Sequence, residues 1–412
     1  MSGNDIIVSL DIGTSKVRAI IGEVTGGSIN IVGVGSADSE GIRKGAIVDI
    51  DQTVQSIKSA VDHSERMVGV TISEVFVGIA GNHIQLQSSH GVVAVSNEDR
   101  EIGGEDIERV LQAAKVIALP PEREIIGIVP KQYIVDGLEG IHDPRGMIGV
   151  RLEVEAIVIT GAKTAIHNLI RCVEKAELKV AGLILMPLAA GHLALSKDEK
   201  NLGTVLVDIG AGATTISIFE NGTITSTATL PIGGEYVSND ITIGLRTQLE
   251  TAEKIKLKYG CASIQDADPS TTFKVTRIGS NVEKEFSQAD LASIVEPRMQ
   301  EIFELIKAEV KRMKPGGELA GGYVLTGGAV SMPAVLSVAQ SVLDTSVRIA
   351  SPDFIGVREP AYASGVGVIA YVAKFLRTRS TVSVKTSTGR KATAANKPSL
   401  IERIKNLFSE FI

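Results

Sequence analysis

Short runs of β-branched and aliphatic residues recur along this chain in one order, and that order occurs twice. The first series opens with Ile6–Leu10, Val17–Val24 and Ser28–Gly35, three stretches too short and too β-branched for helices. Asp51–Met67 then places Val54, Ile57, Ala60, Val61 and Ser64 at helical spacing, and Glu74–Ile79 reads as a fourth strand. A helix over Thr164–Ala176 and a strand over Lys179–Leu185 complete the series. The second series has strands at 204–208, 214–219 and 223–230, a long amphipathic helix over Gln288–Met313, a strand at Tyr323 and a helix over Ala361–Leu376. A β-β-β-α-β-α unit written twice predicts an α/β fold of two related lobes with a cleft between them.

Two stretches interrupt the repeat. Residues 82–160 carry their own strands (Gly91–Ser96, Gln132–Val135, Glu153–Ile159) and a helix, Glu105–Ala114, as an inserted subdomain should. After Pro231-Ile232-Gly233-Gly234 the chain departs again for a mostly helical insertion, 233–287. The expected organisation is a first lobe of 1–81 and 161–198 and a second of 199–232 and 288–376. A linker, 377–398, and a final segment, 399–412, follow.

The same tripeptide stands after the first strand of each series: Asp11-Ile12-Gly13, followed by Thr14-Ser15-Lys16, and Asp208-Ile209-Gly210, followed by Ala211-Gly212-Ala213-Thr214. Strands on both sides make each one a hairpin tip, which excludes the strand-turn-helix setting of a Walker A or dinucleotide loop. Glycine at a tip allows positive φ and close backbone approach, so amides can form a small anion nest. A strand-ending aspartate repels phosphate unless a hydrated divalent cation lies between them. Two matched hairpins therefore predict a clamp for a polyphosphate, with Asp11 and Asp208 reaching magnesium mainly through water.

Two weaker elements fit the same clamp. Tyr323–Thr326 ends in Gly327-Gly328-Ala329 before a helix from about Pro333, which suits packing against a base or ribose; an ordinary strand-to-helix turn has the same pattern. Glu253 and Lys256 share a face of the Leu249–Lys258 helix, where they reach ribose and adenine or simply meet solvent.

At 412 residues the chain is long enough for two cores, and 44% hydrophobic with 22% charged residues is ordinary globular composition. A net charge of -6 argues against a general nucleic-acid binder. The cysteine count is 2, Cys172 and Cys261, and the histidines are scattered, so neither a disulfide framework nor a zinc cluster is expected. No run reaches membrane-span length, and Met1-Ser2-Gly3-Asn4-Asp5 lacks the character of a signal peptide, so the expected compartment is cytoplasmic.

The linker is rich in Ser, Thr and Ala, carries Arg377, Arg379, Lys385, Arg390, Lys391 and Lys397, and has no acidic residue, the composition of a disordered basic tether. In the last segment Leu400, Ile401, Ile404, Leu407, Phe408, Phe411 and Ile412 fall within an arc of about 140° on a helix. Ser399 and Glu402 form a capping box after Pro398. An amphipathic helix on a basic tether predicts reversible binding to an anionic membrane surface; docking on the protein's own surface is the competing reading.

These residues resemble the actin, Hsp70 and sugar-kinase superfamily, and more narrowly the FtsA family of bacterial cell-division proteins. Gly41-Ile42-Arg43-Lys44-Gly45, Asp143-Pro144-Arg145-Gly146-Met147 and Leu230-Pro231-Ile232-Gly233-Gly234 carry the match beyond the two loops, and it covers all but the tether. The resemblance implies an actin-like fold that binds ATP and magnesium in the interlobe cleft, with residues 82–160 as the family's distinctive subdomain at the polymer contact. It also implies self-assembly into filaments on the cytoplasmic side of the cell membrane at the division septum. The implied partners are the FtsZ C-terminal tail and other division proteins. Asp11, Gly13, Thr14, Ser15 and Lys16 form the first phosphate loop by this resemblance, and Asp208, Gly210, Gly212, Ala213 and Thr214 the second. Gly233 and Gly234 join them, Glu253 and Lys256 hold ribose and adenine, and Gly327, Gly328 and Ala329 line the base. FtsZ's tail would dock on the second insertion, with Glu296-Pro297-Arg298-Met299 as a candidate turn. Ala213 replaces a hydroxyl residue common in the family, which leaves hydrolysis, with Asp208 positioning water, open and at most slow. A cell-shape filament of the MreB kind and a pilus-assembly scaffold share the fold, and a sugar-kinase-type phosphotransferase is a distant alternative; the insertion, the tethered helix and the lack of an acceptor site argue against them.

Overall fold

The computed structural model describes residues 5–279, 283–317 and 319–382. It opens with an antiparallel meander, β1 (Asp5–Ile12), β2 (Lys16–Thr25) and β3 (Ser28–Asp38). A two-rung hairpin follows, β4 (Ile42–Arg43) with β5 (Ala46–Ile47), then α1 (Ile50–Val68) and β6 (Glu74–Ile79). α1 starts where Asp49 accepts the Gln52 amide and stops where Gly69 turns left-handed, so both ends are set by local sequence.

The inserted subdomain comprises β7 (Gln85–Ala94), α2 (Gly104–Ala114), β8 (Arg123–Val135), β9 (Leu138–Ile141) and β10 (Arg151–Ala162). Its sheet runs β7-β10-β8-β9, and α2 covers it with Val110 and Ala114 over Leu152, Val154 and Ala156. The first lobe resumes with α3 (Lys163–Lys175), β11 (Lys179–Leu185), α4 (Met186–Ala194) and α5 (Lys197–Leu202).

The second lobe holds β12 (Thr204–Ile209), β13 (Thr214–Glu220), β14 (Thr223–Leu230), α6 (Gly234–Leu245) and α7 (Leu249–Tyr259). Then come the hairpin β15 (Thr272–Thr276) and β16 (Glu283–Ser287), α8 (Gln288–Met313), β17 (Tyr323–Thr326), α9 (Val335–Leu343), β18 (Val347–Ile349) and α10 (Ala363–Val382). The two large sheets, β3-β2-β1-β6-β11 and β14-β13-β12-β17-β18, have the same order: a meander followed by two parallel strands reached through helices. The duplicated actin-like architecture is thus present strand for strand.

Alternation along β1 explains its central place. Val8 and Leu10 face Val54, Ile57 and Val61 of α1, whereas Ile7 faces the opposite layer, with Val366, Ile369 and Val372 of α10. That second contact corrects the expected lobe boundaries. α10 follows the second lobe in sequence but packs on β1, β2 and α4 of the first. α4 reciprocates: Ala190 joins Leu206, Phe219 and Ile224 of the second lobe, and Phe219 lies against Gly191. The two helices cross between the lobes.

Other boundaries also move. The insertion 233–287 holds α6 and α7 together with the short hairpin of β15 and β16. Pro297 lies inside α8 rather than at a turn opening it, and Met299 beside it is fully buried. α10 continues to Val382, past the expected start of the linker at Arg377. The segment 399–412 and its apolar face lie outside the described residues.

Candidate functional site

Both Asp-Ile-Gly stretches form hairpin tips closed in the same way. Gly13 N–H donates to the Lys16 carbonyl at 3.1 Å, and Gly210 N–H to the Ala213 carbonyl at 3.0 Å. Neither tip glycine has positive φ, contrary to the expectation from composition. Glycine is needed instead for approach, because a Cβ at either position would stand 3.0 Å from the carbonyl oxygen that its own amide meets. Ala211 also lies outside the left-handed region, which explains why a side chain is tolerated there. The two tips face each other across the lobes: a Cβ on Gly212 would sit 2.7 Å from Thr14 Cγ2.

Behind the tips stand the two aspartates. Asp11 and Asp208 lie near the ends of β1 and β12, Asp11 buried and Asp208 half-buried. Burial pushes the Asp11 carboxyl up to about 6, with Arg18 pulling it down and Asp208 pushing it up. Burial likewise raises Asp208, partly offset by Ser364, whose hydroxyl donates to Oδ2 at 2.8 Å, and by Thr326 at 3.4 Å. Arg18 Nη1 is 4.0 Å from Asp11, and its guanidinium also stacks 5.2 Å from the Tyr362 ring centre. Two carboxylates and one distant guanidinium leave negative charge poorly balanced in a low-dielectric site. Among the described residues no cluster of three or more metal-ligating side chains exists, so this donor set suits a cation that keeps most of its own water.

A second group gathers behind Gly210. The amides of Gly234 and Glu235, at the start of α6, donate to the carbonyls of Gly210 and Ala211 at 2.9 Å each, so α6 buttresses the second loop. Lys256 Nζ lies 2.7 Å from Glu253, 2.8 Å from Ser238 Oγ and 3.0 Å from the Gly234 carbonyl. A Cβ on Gly234 would lie 3.5 Å from the Ala329 Cβ and 3.7 Å from Lys256 Nζ, so the expected base-side residues do converge. Gly233 has no room for a side chain, since a Cβ there would stand 2.4 Å from the Gly210 carbonyl oxygen. Gly327, at φ 94°, crosses the end of β12, where a Cβ would meet the Ile209 carbonyl at 2.5 Å. A 3₁₀ turn, Gly328–Ser331, follows it, so α9 does not begin directly at the glycine pair.

Two expected phosphate contacts are engaged elsewhere. Lys16 pairs with Asp38 at 2.6 Å, its cross-strand neighbour on β3, and stands toward solvent. Thr214 is buried, and its hydroxyl donates to the Ile232 carbonyl at 2.8 Å, which shapes the loop rather than facing the cleft. Ser15 contributes its carbonyl to the Ser39 amide at 3.0 Å.

Comparison with known proteins places this geometry. The family description "Cell division protein FtsA" matches residues 205–367, and "SHS2 domain inserted in FTSA" matches residues 81–160. The Cell division protein FtsA of Bacillus subtilis is 52% identical over 92% of this chain and 86% of its own length. That of Pseudomonas aeruginosa is 44% identical over 89% of each. The chain belongs to the FtsA family. Solved structures under 20% identity show the fold alone. They include the PilM–PilN type IV pilus biogenesis complex (16% identity, TM-score 0.61, covering 89% of this chain and 98% of that one). MreB 5 of Spiroplasma citri bound to AMPPNP is another (14% identity, TM-score 0.53, 92% and 98%). The fold is therefore shared with the PilM–PilN pilus complex and MreB 5, while the sequence kinship is with FtsA.

For this FtsA-family chain, several site residues escaped sequence reasoning. Arg18 was recoverable: counting rungs back from the Gly13 turn places it opposite Asp11. Thr326 was visible beside Gly327 but not as a partner of Asp208. Ser364 and Ser238 carry no local signal, because only packing of α10 and α6 brings them in.

Proposed function

We propose that this FtsA-family protein binds ATP with magnesium between its lobes, polymerises on the inner face of the cytoplasmic membrane and anchors FtsZ filaments there. The observation that carries the reading is the meeting of Thr14 and Gly212, two copies of one loop from two copies of one lobe, with the buried Asp11 and the half-buried Asp208 behind them. The backbone of the two tips would hold a polyphosphate between them, and Asp11 and Asp208 would face a hydrated magnesium ion, whose charge would offset their own. Gly13, Thr14, Ser15 and the backbone of Lys16 face the phosphates from one side, and Gly210, Gly212 and Ala213 from the other, with Thr214 holding the second loop in shape. Gly233, Gly234, Gly327, Gly328 and Ala329 shape the nucleoside end, where Glu253 and Lys256 exchange part of their mutual contact for the ribose and adenine.

Both described hydroxyl contacts of Asp208 fall on Oδ2, which suits the other oxygen to orient water. With alanine at 213, hydrolysis is slow and ATP acts chiefly as a structural ligand. The inserted subdomain lies at the head-to-tail contact of the polymer, a heterologous interface that propagates without closing. FtsZ's C-terminal tail docks on the second insertion. Arg298 is held by Asp240 and Glu301 within α8, so the tail meets a helix face there rather than the turn first expected.

The clamp is tested by Gly210→Val. A branched side chain crowds the Ala213 carbonyl, so Mg·ATP affinity falls at least tenfold in a fluorescence titration, a loss of about 1.4 kcal/mol. Unchanged affinity removes the loop assignment.

A further inference from the structure

The cleft has a third wall that neither series of strands supplies. The β4–β5 hairpin projects from the first lobe, and its tip reaches both phosphate loops. Gly45 N–H donates to Thr14 Oγ1 at 3.2 Å, and a Cβ on Gly45 would lie 3.8 Å from the Ala213 Cβ. The base-side residues, by contrast, gather behind Gly210. The hairpin therefore borders the place where the loop tips meet.

Its geometry is fixed from below. The Gly41 carbonyl accepts the amides of Val48 at 2.8 Å and Asp49 at 3.1 Å, and Ile42 is buried. Arg43 pairs with Ala46, so Lys44 and Gly45 are the two central residues of the turn, and both have positive φ, 51° and 76°. That is the signature of a type I′ turn, in which asparagine, aspartate or glycine is favoured at the first position. Lysine is an uncommon choice there, since its side chain gains nothing from the left-handed backbone that asparagine or glycine adopts more readily. The side chain is exposed, and its ammonium stands 5.9 Å from the centre of the Tyr236 ring, on α6 of the other lobe. Arg298, itself paired with Asp240 and Glu301, stands at the same distance from that ring. The Lys44 contact is weak at an exposed site.

We propose that this hairpin belongs to the phosphate site and that Lys44 is the residue by which the protein distinguishes a nucleoside triphosphate from a diphosphate. The inference rests on the nucleotide reading above. When the tips part around a polyphosphate, the Gly45 amide remains at Thr14, and the Lys44 ammonium exchanges the Tyr236 face for the terminal phosphate. It supplies there the donor that Ala213 does not have. A charge-assisted contact of this kind acts on the triphosphate alone, because a diphosphate does not extend to it.

The test is Lys44→Asn in the full chain, a change that suits the turn and removes the charge. Affinities for Mg·ATP and Mg·ADP are measured by calorimetry for the natural protein, for this variant, for Lys44→Arg and for Tyr236→Leu. The expected result is an ATP affinity about tenfold weaker in Lys44→Asn, an ADP affinity within about twofold, recovery in Lys44→Arg and little change in Tyr236→Leu. An unchanged ATP-to-ADP ratio in Lys44→Asn overturns the proposal. So does an equal loss in Tyr236→Leu, which would make Lys44 a cleft bridge only. A natural protein that binds neither nucleotide overturns the nucleotide reading itself, a result distinct from either of these.

Discussion

Asp11 is the residue on which the chemistry of the cleft turns. Its folded-state pKa of about 6 stands above the ordinary 3.8, so the fold holds its proton more tightly than the unfolded chain does. Stability from this group is fully present below pH 3.8 and is lost as pH rises through about 6. Near pH 7 the nucleotide-free protein consequently carries a penalty of about 1–3 kcal/mol at this site. Asp11→Asn should raise the nucleotide-free melting temperature at pH 7, flatten its dependence between pH 4 and 6.5, and abolish magnesium-dependent ATP binding. Parallel melting curves for the two proteins across that range would contradict the assignment. The loops and their aspartates were legible because residue type and flanking strands sufficed to define a hairpin tip. The partner of the Lys16 ammonium was not legible, because its cross-strand neighbour Asp38 lies far along the chain.

At the scale of elements, most strands and helices follow from periodicity: β6, β11 and α8 begin and end where the apolar spacing does. Missed elements are those whose pattern is set by partners. β9 and β18 are short edge strands defined by their neighbours, and α4 is apolar all round because it is packed between lobes. The same holds for α10, whose apolar run Val366–Ala373 announces burial without saying against which lobe. Gly367 marks the crossing, since a Cβ there would meet the Ala189 carbonyl at 2.6 Å. Gly367→Leu should separate α10 from α4 and lower stability by about 2 kcal/mol or more, read as a fall in melting temperature. An unaltered melting temperature would mean that this contact does not hold the lobes. The terminal segment, 399–412, is judged on sequence alone. Its seven apolar residues give about 5–10 kcal/mol before ordering costs, enough for reversible attachment. Phe408→Glu together with Phe411→Glu should release the protein from anionic vesicles while leaving ATP affinity intact. Retention on vesicles would favour a helix docked on the protein itself.

For the whole molecule, duplication explains how one nucleotide can govern assembly. Each lobe supplies one loop, and α4 and α10 each pack on the other's lobe, so under the proposed function a ligand held between Thr14 and Gly212 acts on both lobes at once. Under the proposed function, a ligand bound better by the closed arrangement would shift the population toward it, and head-to-tail contacts would then recruit further copies. Each copy would bring one weak membrane anchor, and a polymer would make their attachment collective. Pelleting of purified FtsZ with anionic vesicles and this protein, with and without Mg·ATP, tests that account most directly. FtsZ should enter the pellet when protein, vesicles and Mg·ATP are all present, and most of it should stay in solution when ATP is omitted or residues 399–412 are deleted. FtsZ that pellets equally without ATP, or that never accompanies the vesicles, would contradict it.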